Sequence, residues 1–422
     1  MYIIGGRMPD YTREEQTAFI AHLNQQISDD PALKNRALIL DPELFREGAN
    51  YGDLQVHVGR FLEQQDGLDL MDKWMNFLDN EFRNPETDLI SENRAKESYS
   101  TSTKALNTDQ DYLAVAIPPY LDSTGQKMLD DIAKTHRESF YHSHEKSSPD
   151  HDHDHSNVGV DWQSHGITDR FAHQFTTYHE MGHAIKSRWN LGARITNDEL
   201  GTLDTENIQE VENTKALTSV YVESFGERYA DSFATLNMLR DGAGIDEIKT
   251  YAKARMVSTG FLNDEIESVG EGLNHDTTTT IEATLDLYEK KFKDGGLEKL
   301  SPSEISDIAI QMTSQTVPTL SQFVEMGKEQ SRLKYTINEG LDTKDQSTMT
   351  DNNRLIGSTV HSDLDSMKLS ETGRDMVCKF RESYQDIVGS KLPALEESKR
   401  YQNACDPVQQ QTSIPASTSM AM

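Results

Sequence analysis

The residues that specify a chemistry by type and spacing are His179, Glu180 and His183, in the run Tyr178-His179-Glu180-Met181-Gly182-His183-Ala184-Ile185. Histidines four apart on a helix lie one turn apart on the same face, so both imidazoles can hold a single metal ion. The glutamate between them completes the H-E-x-x-H pattern, in which two neutral imidazoles bind zinc and the carboxylate handles the proton of an activated water. The alternative is an ordinary helix carrying three polar residues. Its apolar spacing favours the metal: Phe171, Phe175, Tyr178, Gly182, Ile185 and Trp189 form a stripe that buries the helix, and imidazoles on its flank then need partners. Gly182 costs about 1 kcal/mol relative to Ala inside a helix, which points to another backbone passing close to it.

Zinc requires a third protein ligand and an open position. Downstream, the spacing predicts a second long helix over roughly 214–240, closed by Asp241-Gly-Ala-Gly244, with a stripe of Ala216, Val220, Glu223, Glu227, Ala230 and Ala234. Small residues on that stripe let another helix approach and take the two acids out of water, a cost that a cation must offset. Glu227 is the expected ligand, with Asp231 one turn on to accept the free N–H of a zinc-bound imidazole. The alternative register takes Glu223 as ligand and Glu227 as its partner. Exposed charge pairing does not explain these acids, because their neighbours at helical spacing are acidic too.

These two segments, His179-Glu180-Met181-Gly182-His183-Ala184 and Glu227-Arg228-Tyr229-Ala230-Asp231-Ser232-Phe233-Ala234, resemble the glutamate-ligated zincin metallopeptidases, the gluzincins, over the stretch Phe171 to Ala234. The resemblance implies a zinc-dependent endopeptidase acting on a protein or peptide substrate. One catalytic Zn²⁺ would be held by His179, His183 and Glu227, with Glu180 as general base. The separation of His183 from Glu227 is longer than in compact members of the group. No H-E-x-x-H-x-x-G-x-x-H pattern follows, which excludes the metzincin branch. His275, in a polar loop running into a helix N-terminus, is a candidate for holding the oxyanion, alongside Tyr221, Arg228, Tyr229 and His165. Two other functions compete: a non-catalytic, regulatory metal-binding module, and a metal buffer using the His/Asp-rich tract Asp150-His-Asp-His-Asp-His155.

Composition sets outer limits. A formal charge of −30 over 422 residues excludes nucleic acid and anionic membrane as natural partners, since both require basic surface. Neither a Sec signal nor an apolar span long enough for a membrane is expected. The two cysteines, Cys378 and Cys405, form no C-x-x-C and suggest neither a disulfide framework nor a cysteine zinc site, in keeping with a reducing compartment. The expected location is cytoplasmic, or exported without a Sec signal. Glu396-Glu397 ahead of a Ser/Thr/Ala-rich end resembles the C-terminal signals of effectors injected by type IV secretion.

The expected fold is mainly α (α+β), a zincin-like core with a small sheet beside the active-site helix, flanked by helical regions. Residues 1–110 read as an N-terminal helical region in which His22 and His57 carry no chemistry. The core spans 111–300 and includes a His-rich flexible loop at 136–165. A C-terminal helical region covers 301–405, and 406–422 is a disordered tail. Within the core, Tyr112-Leu-Ala-Val-Ala-Ile117 is the clearest strand, placed by expectation at a sheet edge where an extended peptide would pair.

Overall fold

A computed structural model describes residues 11–46, 48–91, 102–107, 112–119, 167–186, 208–257, 273–339, 369–389, 391–392, 395–396, 398 and 400–405. In chain order its elements are α1 (Arg13–Asp29), β1 (Ala37–Ile39), α2 (Tyr51–Gln64), α3 (Met71–Phe82), β2 (Ser102–Asn107) and β3 (Tyr112–Ile117). There follow α4 (Asp169–Lys186), α5 (Ile208–Arg240), α6 (Ile245–Arg255), α7 (Thr278–Lys291), α8 (Pro302–Thr316), α9 (Leu320–Glu339) and α10 (Glu371–Val388). The chain is mainly helical with one small sheet. None of its helices among the described residues is long and apolar enough to cross a membrane.

The sheet has the order β1-β3-β2, with β1 parallel and β2 antiparallel to β3. β3 is therefore the central strand, which corrects the expectation of an edge: among the described residues β1 and β2 are the outer strands. Both faces of this sheet are covered, and side chains alternate between two cores. Ala37, Ile39, Ala114 and Ala116 join the cluster that holds α1 and α4, while Leu38, Leu40, Leu113, Val115 and Ile117 join the cluster of α2 and α3. Burial on both faces explains why β3 reads as an uninterrupted apolar run. Its alanines on the α4 side leave room for the helix carrying the histidines to lie close against the sheet.

The region before residue 110, expected to be helical throughout, contributes two of the three strands. β1 is only three residues long, and Ser102-Thr-Lys-Ala-Leu-Asn107 lacks an alternating apolar pattern, so neither strand signals itself. Helix starts are better marked. Thr12 with Glu15, and Ser301 with Glu304, form capping boxes, and Thr168 Oγ1 accepts from the backbone N–H of Phe171 at 3.0 Å at the start of α4.

α5 is the central pillar. Nine consecutive residues, Tyr229 to Asn237, are fully buried, because α4, α7, α8 and α9 surround the helix. Two of its buried hydroxyls are met by neighbouring helices: Ser232 Oγ lies 2.9 Å from Thr284 Oγ1, and Tyr229 Oη lies 2.6 Å from Ser306 Oγ. The helix ends at Gly242, whose φ of +92° suits glycine, and the chain turns straight into α6. In the C-terminal part, Cys378 on α10 and Cys405 are joined by a disulfide with a Cα–Cα distance of 5.4 Å. A single bridge of this kind is not signalled by the sequence, because partners 27 residues apart carry no spacing signature.

Candidate metal centre

α4 delivers His179, Glu180 and His183, and α5 delivers the residues that face them. The two helices meet where Gly182 lies against Ala230: a Cβ at 182 would stand 3.0 Å from the Ala230 Cα. This close approach is the reason for a glycine in mid-helix. One turn to either side, it brings polar groups of the two helices together.

His179 Nε2 and His183 Nε2 are 3.0 Å apart. Glu227 closes the triangle, with Oε2 at 3.3 Å from His179 Nε2 and Oε1 at 3.2 Å from His183 Nε2. A tetrahedral zinc with bonds of about 2.0–2.1 Å separates its donors by about 3.3 Å, so two imidazole nitrogens and a carboxylate in this triangle fit that ion. Glu180, itself buried, brings a carboxylate oxygen within 4.8 Å of both imidazole donor atoms. Glu223, the alternative ligand, is exposed on α5, and the carboxylate on the imidazoles is that of Glu227.

Behind the triangle, Asp231 Oδ1 lies 2.7 Å from His179 Nδ1, which turns Nε2 toward Glu227. Asp231 is fully buried and also accepts from Thr277 Oγ1 and from Arg255 Nη1. Arg255 Nη2 donates to Glu227 Oε2 at 3.4 Å and lies 3.3 Å from His275 Nδ1. His275 Nδ1 is 3.1 Å from the same Glu227 oxygen, and its side chain remains 34% exposed, which puts it at the mouth of the site.

Charge in this buried group is interdependent. Burial works against ionisation of Glu227, but His183 and His275, with hydrogen bonds from both α4 imidazoles, hold its carboxyl well below the usual range. Asp231 is likewise opposed by burial yet drawn down to about 2 by Arg255 and His179. At His179, burial and Arg255 both disfavour the charged ring, and Asp231 and Glu227 overcome them, pushing it up to about 9. Metal binding there would displace a proton.

The other oxyanion candidates divide by position. Tyr221 Oη donates to the Pro318 carbonyl at 3.0 Å, Tyr229 is paired with Ser306, and Arg228 Nη1 donates to Thr280 Oγ1 at 3.2 Å, all directed into the helical core. His165, the tract 150–155, the rest of 136–165, Trp189 and the end 406–422 lie outside the described residues. Arg255 and Thr277 are site residues that sequence reasoning missed. An arginine in the last turn of α6 reads as an ordinary complement to the helix dipole, and nothing local reveals that α6 folds back onto α5. The chain matches no known protein-family model, no curated protein and no solved structure.

Proposed function

We propose that the protein is a zinc-dependent peptidase of the zincin type, with His179, His183 and Glu227 as ligands and Glu180 as general base. The observation that carries this reading is the donor triangle of 3.0, 3.2 and 3.3 Å across two helices, with a buried carboxylate beside it. Zinc held by that triangle would supply Lewis acidity, lowering the pKa of a bound water toward neutrality and polarising a scissile carbonyl. Glu180 accepts the water's proton and passes it to the leaving amine. Asp231 fixes the His179 ring, and His275 at the mouth offers a donor to the oxyanion. The outer edge of β2, next to α4, is where an extended peptide backbone adds to the sheet.

The test is metal content and cleavage of casein and of the protein's own chain, in wild type, His183→Ala, Glu227→Ala and Glu180→Gln. The expected result is about one zinc per wild-type chain, its loss in the first two variants, and retained zinc with lost cleavage in Glu180→Gln. Zinc retained in Glu227→Ala removes that residue from the ligand set. Zinc bound without cleavage of any peptide leaves a metal-holding module and ends the peptidase reading.

A further inference from the structure

Arg255 makes contacts that the proposed chemistry does not use. Its guanidinium joins the two carboxylates of α5, donating through Nη1 to Asp231 and through Nη2 to Glu227 at 3.4 Å. These acids are four residues apart on one helix, within reach of each other's field, and like charges at that spacing repel. The repulsion strengthens as water is excluded, and here Asp231 is fully buried and the Glu227 side chain is 14% exposed. Arg228 of α5, also buried, donates to Thr280, with Asp276 and Asp231 within reach of its charge.

Arg255 is delivered by geometry that does not depend on the metal ligands. The turn Asp241–Gly244 folds α6 back along α5, and the last turns of α6 are held to α10, where Lys253 Nζ donates to Asp386 and to Glu382 at 3.4 Å and Ser383 Oγ lies 3.7 Å from Met256 Sδ. The guanidinium is therefore anchored from the opposite side of the site.

We infer that Arg255 is the resident counter-cation of the centre: it holds Glu227 and Asp231 together when no metal is bound, so that metal loads and leaves without loss of the fold. The inference rests on the metal reading above. A dication at the triangle takes over part of the same task, and it is repelled by the arginine, so Arg255 stabilises the metal-free protein more than the loaded one.

The experiment compares thermal melts of Arg255→Met and wild type, each with excess EDTA and with saturating Zn²⁺, alongside zinc affinity by chelator competition. Arg255→Met is expected to lower the melting temperature in EDTA by on the order of 5 °C or more and by clearly less in zinc, with zinc affinity equal to or above wild type. An arginine that merely packs lowers both melts alike, and an unchanged zinc increment overturns the inference. Failure of wild type to bind zinc at all defeats the metal reading and this inference with it, and is seen before any variant is made. Should Arg255→Met give no folded protein in EDTA, the double variant Arg255→Met/Glu227→Gln is measured there: a restored cooperative melt supports the counter-cation role, and its absence overturns it.

Discussion

Gly182 and Ala230 are in backbone contact across the two helices of the candidate centre, with 3.0 Å between a Cβ built at 182 and the Ala230 Cα. The Ala230 carbonyl oxygen and Cβ lie at 3.4 Å, so a methyl group there meets the backbone and Cβ of Ala230, none of which can rotate away. Gly182→Ala gains up to about 1 kcal/mol of helix propensity, but prying apart two packed helices costs about 1–3 kcal/mol. The packing cost wins, and it falls on the spacing between His183 and Glu227. The variant is expected to unfold at lower denaturant and to bind zinc at least about tenfold more weakly. Wild-type zinc affinity in Gly182→Ala would show that this contact does not set the site.

Asp231→Asn keeps the shape of the side chain and removes its charge. His179 loses the carboxylate that orients its ring, and one amide oxygen has to serve donors that now use two carboxylate oxygens, Arg255 and His179 on Oδ1 and Thr277 on Oδ2. Zinc affinity is expected to fall about 10–100-fold, the usual consequence of removing a ligand's hydrogen-bonding partner. Stability falls as well, by on the order of 3 kcal/mol, because the buried Arg255 loses the nearer of its two carboxylate partners. Chelator competition and urea melts separate the two effects, and an unaltered affinity rules out the orienting role.

The candidate donor residues were legible because their spacing is local: His179, Glu180 and His183 sit within five positions, and Glu227 and Asp231 share one helix face with Ala230 and Ala234. Glu227 could be chosen over Glu223 only by register, and the contact between Gly182 and Ala230 is what fixes that register. Arg255 was not legible, since its role depends on α6 doubling back on α5, a long-range arrangement with no pattern at residue 255. The sheet was half legible. β3 is buried on both faces and announces itself, whereas β1 is short and β2 polar, so strand order and the identity of the edge came from pairing alone.

The disulfide makes a prediction about thiols. Cys378 and Cys405 tie α10 to a segment that is also held by Arg400 and Tyr401 Oη on the buried Glu329, at 2.7 and 2.8 Å. Closing a loop of 27 residues is worth about 3–4 kcal/mol where native geometry is unstrained. Protein purified without reductant is expected to show no free thiol under denaturing conditions. Reduction, or the pair Cys378→Ser/Cys405→Ser, should lower the denaturant midpoint while leaving zinc content unchanged, since neither cysteine belongs to the triangle or to the groups hydrogen-bonded to it. Two titratable thiols in unreduced protein would refute the bridge.

His173, on α4 but away from the centre, predicts how stability responds to acid. Its ring is 2% exposed, 5.1 Å from the Tyr11 ring, with Gln16 Nε2 at 2.5 Å and the Pro119 carbonyl at 3.1 Å. Burial is the main influence on it; despite the Pro119 carbonyl, its pKa falls from 6.5 to about 4. The folded ring stays neutral where the unfolded one is protonated, so the unfolded state takes up the proton first. Stability from this residue is complete above about pH 6.5 and is lost progressively as pH falls toward 4, by on the order of 3 kcal/mol. His173→Gln removes the titration, so the stability gap between wild type and variant, measured with chelator present so that metal loss does not contribute, should narrow over that window. A gap that stays constant from pH 7 to about 4 would mean that the buried ring does not govern acid sensitivity.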